Sequence, residues 1–327
     1  MKLSLTAAIL CTLLLGYAHA AWSADAEPAK QTTPATAEAA KQATPATYVG
    51  NEVCQACHVQ QTEKFSQTVM GKIFLHNPRN ETEKQVCESC HGPGSNHVAA
   101  GGGKGVGGLI TFRKDSSESA KVQNEACLQC HQKGIQTYWN ASPHASRGIA
   151  CVNCHTLMEK TSDRYQLAKV GEKTPFFNRR AEIEVCGQCH LQRQAQLMRS
   201  SHMPVREGKL VCTSCHNPHG TPNPKQLIQA TTNENCLSCH TERRGPFLWE
   251  HPPVIENCAN CHEPHGSSNP QLLKTRMPRV CDSCHVASRH PTQPQPLSSI
   301  KNFNRGCTNC HSAIHGSNSP SGDKFLR

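Results

Sequence analysis

The chain has 327 residues, a formal net charge of +10 and only 5% aromatic residues, yet it contains 21 Cys and 20 His. With so few aromatics and no long amphipathic pattern, an ordinary side-chain core is excluded. The basic balance would suit a nucleic-acid partner, but no nucleic-acid motif is present and that class is dropped.

In chain order, residues 1–20 (MKLSLTAAILCTLLLGYAHA) read as a signal peptide. Lys2 precedes an apolar stretch, Leu5–Leu15, and Ala18-His19-Ala20 forms a small-x-small cleavage site. Cys11 lies inside the apolar run with no small residue just before it, so no lipoprotein signal is read. The run is shorter than the roughly 20 residues a spanning helix needs. The mature protein is expected in the periplasm. Residues 21–47 are rich in Ala, Thr, Pro and Lys, nearly repeat KQ-x-TPAT, and read as a disordered tether.

From Cys54 onward twenty cysteines fall into ten pairs of identical spacing: Cys54/Cys57, Cys87/Cys90, Cys127/Cys130, Cys151/Cys154, Cys186/Cys189, Cys212/Cys215, Cys236/Cys239, Cys258/Cys261, Cys281/Cys284 and Cys307/Cys310. Each pair is followed at once by His: His58, His91, His131, His155, His190, His216, His240, His262, His285 and His311. Cys-x-x-Cys-His is the pattern of covalent haem c attachment: two thiols add to the porphyrin vinyl groups and the His ligates iron. Zinc sites combine Cys-x-x-Cys units without a fixed adjoining His. A disulfide scaffold does not repeat one spacing ten times. The expectation is ten haem c groups. Without Lys2 the formal charge is +9. Twenty propionates take it to about −11 and ten ferric irons return it to about −1, so the basic residues mostly compensate haem.

A chain with about 28 residues per haem must use the macrocycles as its core. The expected fold is a multihaem cytochrome c, mostly coil with short α-helices wrapped round a linear haem stack, with little or no sheet. Helices are expected over Val59–Val69, Glu182–Ser201 and Asn233–Glu242. Five motifs precede Gln192 and five follow Lys209, which suggests two consecutive pentahaem modules at 48–200 and 201–327. GGGKGVGG (Gly101–Gly108) lacks the ending of a phosphate loop and is assigned no chemistry.

A six-coordinate haem needs a second axial ligand. Outside the leader and the motifs nine His remain: His76, His97, His144, His202, His219, His251, His265, His290 and His315. Nine is one short of ten. His219 and His265 lie three residues beyond a motif His and more plausibly cap a neighbouring haem than their own. In ACVNCHTLMEK that slot holds Met158, whose thioether is a competent ligand that raises the haem potential. Met158 is the first choice for the missing ligand. Its alternatives are a Met packed on porphyrin, and ligation by Met70 should His76 be spare.

The stretches ERRGPFLWEHPPVIENCANCHEPHG, LLKTRMPRVCDSCH and CTNCHSAIHGSNSPSG, with the ten motifs, resemble the periplasmic decahaem cytochromes of outer-membrane porin–cytochrome conduits, the MtrA, PioA, MtoA and DmsE group. The resemblance implies distal His at ten positions. His97, His144, His202, His219, His251, His265, His290 and His315 match, the Met158 slot departs, and the slot near Met70 and His76 stays open. It also implies a haem stack sheathed by an outer-membrane β-barrel. That stack would carry electrons between periplasmic or inner-membrane cytochromes and a surface cytochrome or extracellular iron. The expected role is electron carrier, not classical enzyme. The rivals are a multihaem oxidoreductase with one open haem and a free periplasmic shuttle. A raised-potential haem leans the direction towards Fe(II) oxidation over metal reduction.

Overall fold

The computed structural model describes residues 45–113, 116–159, 180–285 and 306–326. The signal peptide, nearly all of the tether and His290 lie outside the described residues. Secondary structure is short: α1 (Asn51–Cys57), α2 (Val59–Ser66), α3 (Val69–His76), α4 (Glu88–His91), α5 (Ala120–Leu128), α6 (Arg180–Gly187), α7 (Leu191–Leu197), α8 (Thr232–Leu237) and α9 (Arg279–Asp282), among other helices and 3-10 turns of three to five residues. Among the described residues the only β pairing is isolated bridges, Ser201–Ser267, His216–Leu227, Trp249–Ser317 and His262–Leu273. Among the described residues the fold is one of short helices without a sheet. No helix among the described residues is long and apolar enough to cross a membrane.

The three expected helices exist but are interrupted. Glu182–Ser201 splits into α6 and α7, and Asn233–Glu242 breaks after Leu237. The cause is the motif itself: the backbone leaves the helical region at the motif His, with φ −89°, ψ 53° at His190 and φ −94°, ψ 57° at His240. Val59–Val69 ends at Ser66 because Thr68 starts a new helix, its hydroxyl accepting from Gly71 N at 2.9 Å. Gly71 lets the two helices touch, since a Cβ there would lie 1.8 Å from the Phe65 carbonyl oxygen.

Odd and even motifs differ. The first, third, fifth, seventh and ninth begin in α1, α5, α6, α8 and α9. The fourth, sixth, eighth and tenth open on single 3-10 turns at Cys151–Asn153, Cys212–Ser214, Cys258–Asn260 and Cys307–Asn309. The working repeat is therefore a pair of motifs. Asparagines staple the pairs: Asn124 Oδ1 accepts from Cys151 N at 2.8 Å, and Asn233 Oδ1 from Cys258 N at 2.7 Å. In the fifth and sixth motifs Glu182 does this, accepting from Thr213 N and Oγ1 at 3.0 and 2.8 Å. That bond and His144 Nδ1 to the Pro218 carbonyl, 2.8 Å, cross the boundary expected between 200 and 201.

Little of the interior is apolar side chain. Among the described residues the buried hydrophobics are few and scattered, Phe74, Val86, Trp139, Leu197, Leu227 and Leu273 among them, and buried polar groups such as Glu88, Asn124 and Ser142 are as common.

Candidate haem-binding site

Every motif has the same backbone turn. The N–H of each motif His bonds the carbonyl of the first Cys, from His58 to Cys54 through His311 to Cys307, at 2.9–3.1 Å. One turn thus carries two sulfurs and an imidazole, the set that clamps one macrocycle edge and reaches its metal. Among the described residues no group of three or more His, Cys, Asp or Glu converges as a metal cluster.

The motif sulfurs form a continuous file. First cysteines share thiol hydrogen bonds within each pair of motifs: Cys54 with Cys87, Cys127 with Cys151, Cys186 with Cys212, Cys236 with Cys258, and Cys281 with Cys307. These bonds push the Cys127 thiol up and draw Cys151 down to about 7. Second cysteines sit near enough to feel one another's charge between pairs: Cys90 and Cys130, Cys154 and Cys186 (second to first), Cys215 and Cys239, Cys261 and Cys284. The ten attachment points therefore run in sequence order.

Cys189 and Cys310, also expected as haem-attachment residues, take no part in these contacts. Both are exposed, whereas Cys186 and Cys307, the first cysteines of the same motifs, are half-buried. The spacing predicts one role for all twenty thiols, and the structure separates them. A first Cys packs against the neighbouring motif, while Cys189 and Cys310 are placed only by their own turns. Cys189 N bonds the Cys186 carbonyl and Cys310 N the Cys307 carbonyl, each at 3.2 Å. An exposed thiol on that turn is open to a vinyl group.

Six motif imidazoles face a second imidazole. The ring centres of His58 and His97, His216 and His265, His251 and His285, and His262 and His315 are each 6.2 Å apart, with planes within 23°. His155 and His219 are 6.0 Å apart at 11°, and His144 and His190 are 6.1 Å apart at 71°. These gaps are too long for ring-face contact at about 3.5–4 Å. A metal bonded to both rings at about 2 Å, with each ring centre about 1.1 Å behind its nitrogen, requires about 6.2 Å. The pairs fit a haem iron between them.

Ring orientation agrees. A backbone carbonyl can only accept, so the Nδ1 it meets must be the donor, which leaves Nε2 with a lone pair for metal. His91 donates to Ile110 at 2.7 Å, His97 to Val106 at 2.9 Å, His216 to Lys225 at 2.9 Å and His262 to Gln271 at 2.8 Å. Burial lowers the pKa of His91, His155, His190, His219, His251, His265 and His315, favouring the neutral form that a ligand needs.

The remaining candidates are placed differently. His91, His131 and His240 stand in no such pair among the described residues. His76 ends α3, exposed, and Met70 lies half-buried on the same helix. His202 gives both ring nitrogens to oxygens, Nδ1 to the Arg199 carbonyl at 2.6 Å and Nε2 to Glu207 at 3.0 Å, and Glu207 raises its pKa. Met158 is exposed.

Sequence reasoning missed the parts that hold the ligands. The glycine loop, assigned no chemistry, supplies the Val106 carbonyl to His97, and Gly107 packs on the His97 backbone. Asn124 and Asn233 stand three residues before a first Cys in N-E-x-C, as does Asn51; that recurrence was a readable signal.

Over 316 residues the chain is 37% identical to the multiheme cytochrome MtrA of Shewanella baltica, covering 93% of this chain and 89% of that protein. The chain belongs to the MtrA family of multihaem c-type cytochromes. Residues 202–245 and 251–290 match the doubled CXXCH motif, each span holding an even motif and the odd motif after it, and residues 87–174 match the cytochrome c-type protein NrfB-like family. A weaker likeness, 23% identity over 156 residues, joins 39% of the chain to 69% of the cytochrome c-type protein NrfB of Haemophilus influenzae. Family membership makes the chain an electron carrier that binds haem c.

Proposed function

We propose that this MtrA-family cytochrome binds ten haem c groups and serves as an electron conduit across the outer membrane inside a β-barrel partner. The observation that carries the reading is the set of six imidazole pairs, ring centres 6.0–6.2 Å apart, spaced along the motifs from His58 to His285. When bound, each haem supplies a one-electron Fe(III)/Fe(II) couple. The twenty motif cysteines would hold the haems in order and the ten motif His would each supply a ring nitrogen to an iron. His97, His144, His219, His251, His265 and His315 would bind from the other face, and His76, His202 and His290 would serve three of the four haems that remain.

Two strong-field ligands per iron exclude small molecules, which suits a carrier better than an oxidoreductase. The barrel follows from physics as well as from family. A loop-rich chain exposes backbone polar groups that hydrocarbon cannot satisfy, so it needs a closed sheath to cross a membrane. The inner end would exchange electrons with periplasmic or inner-membrane cytochromes. The outer end would exchange with a surface cytochrome or extracellular iron, in Fe(II) oxidation or metal reduction.

The test is detergent extraction of the tagged chain, then reconstitution of what co-purifies into liposomes loaded with a reduced viologen dye. Oxidation of the dye by external ferric citrate, absent without the chain, is the expected result. Recovery of the chain alone from the soluble fraction would make it a periplasmic shuttle instead.

A further inference from the structure

Three of the imidazole pairs obey one rule. His219, His265 and His315 follow the sixth, eighth and tenth motifs. Each faces the ring of the motif two places earlier, His155, His216 and His262, at 6.0, 6.2 and 6.2 Å. The offset recurs because the pair of motifs is the structural repeat and each of these even motifs opens on the same 3-10 turn. The fourth motif opens on that turn too, at Cys151–Asn153, and His155 N bonds the Cys151 carbonyl at 2.9 Å as in the others. Three residues after His155, where the sixth and eighth motifs place His219 and His265, stands Met158. Two motifs earlier is His91.

We propose that the thioether sulfur of Met158 is the axial iron ligand opposite His91, on the haem carried by Cys87 and Cys90. The inference rests on the haem reading above and adds which iron the methionine serves. His91 is prepared for a partner: its Nδ1 is committed to the Ile110 carbonyl at 2.7 Å, as His216 and His262 are to theirs, so Nε2 is the coordinating nitrogen. No imidazole pairs with it among the described residues; its ring neighbour is Phe112, edge-on at 5.2 Å.

A second, independent observation brings Met158 to this part of the molecule. Glu159 Oε2 meets Lys64 Nζ, on α2, at 3.0 Å. Both groups are largely exposed, so the pair adds little stability, but it marks where the segment runs. The same region holds the second motif, whose Glu88 accepts from Val49 N and Gly50 N at the start of the first motif's helix.

The departure from His also changes the following residue. Gly220, Gly266 and Gly316, with φ of 103°, 146° and 131°, press against neighbouring chain after the three histidines. Met158 is followed by Glu159, so here the ion pair to Lys64 stands in place of a glycine contact. A thioether favours ferrous iron relative to imidazole, so this haem has the highest potential of the set.

The test uses the full decahaem protein and its Met158→His, Met158→Ala and Met70→Leu variants. Wild type and Met70→Leu are expected to show the far-red charge-transfer band of methionine-bound ferric haem. Met158→His loses the band, and its highest midpoint potential moves down into the range of the others. Reduced Met158→Ala binds carbon monoxide at one haem in ten, and the structure of that adduct has the ligand opposite His91.

Persistence of the band in Met158→His, or carbon monoxide opposite any other motif His, overturns the proposal. Should Met158→Ala fail to accumulate, Met158→His alone decides the ligation and the wild-type holo structure decides the haem. Transfer across liposomes is read separately, so loss of the band assignment and loss of the conduit reading are distinguishable.

Discussion

His265 donates its Nδ1 hydrogen to the carboxylate of Glu263 at 3.0 Å. The equivalent ring in the preceding repeat, His219, meets the amide oxygen of Asn217 at 3.2 Å instead. Glu263 is partly buried, which works against its charge, but bonds from the His265 ring and backbone hold its pKa below the ordinary value. A carboxylate on the far nitrogen makes an imidazole more basic and stabilises the ferric ion. Arg193, 3.8 Å from Glu263, offsets part of this. Glu263→Gln is expected to raise the potential of the haem on Cys212 and Cys215 by about 60 mV, a tenfold change in a one-electron equilibrium. Asn217→Asp is expected to lower that of the haem on Cys151 and Cys154. Redox titration followed by haem absorption checks both.

Gly107 has φ +82°, and a Cβ there would lie 2.3 Å from His97 N and 2.4 Å from its Cα. Neither is a side-chain end that can swing aside. Gly107→Ala is expected to cost about 1–3 kcal/mol in backbone strain alone and to displace the Val106 carbonyl from His97. The readouts are a lower thermal midpoint and a high-spin signal from the haem on Cys54 and Cys57.

The ten motif turns were legible because the chemistry expected of them is local: two sulfurs and one imidazole must share one turn. The difference between half-buried Cys186 and exposed Cys189 was not legible, because it comes from docking against the sixth motif. The pairing of His155 with His219 also depends on the docking of one repeat on another. Helix ends are misplaced for a related reason. The expected helix runs straight through Cys186–His190, whereas α6 ends at Gly187 and α7 begins only after the turn at His190. Spacing counts His202 among nine equivalent ligands, yet the side chain 3.0 Å from its Nε2 is Glu207, a contact that no spacing argument reveals.

Glu88 lies inside the second motif and is only 3% exposed. Its carboxylate accepts from Val49 N, Gly50 N and Gly94 N at 3.0, 2.9 and 2.8 Å. It thereby ties the first motif's helix to the second motif. Glu88→Ala leaves three donors unpaired, one buried at Gly94 and two half-buried at Val49 and Gly50, and a fully buried unpaired group costs about 1–3 kcal/mol. Amide exchange at Val49, Gly50 and Gly94 is expected to accelerate at least tenfold. Unchanged exchange would mean that other contacts hold the two motifs together.

Gly266 follows His265 and passes the neighbouring chain so closely that a Cβ would sit 2.0 Å from the Gln196 carbonyl oxygen. Around it the reciprocal bonds Ser201 N to Ser267 O, 3.0 Å, and Ser267 N to Ser201 O, 2.7 Å, close a clasp between the fifth and eighth motifs. Gly266→Ala has to open that clasp, and the clasp sets how far His265 stands from His216. The substitution is expected to cost about 3 kcal/mol, as overpacking and backbone strain together do. The haem on Cys212 and Cys215 is expected to become partly high-spin. Gly306→Ala is the control: its Cβ would come no closer than 3.9 Å to Thr308 Oγ1. Its expected cost is under about 0.5 kcal/mol. If both variants melt alike with unaltered spectra, close backbone contact at Gly266 does not position the axial histidine.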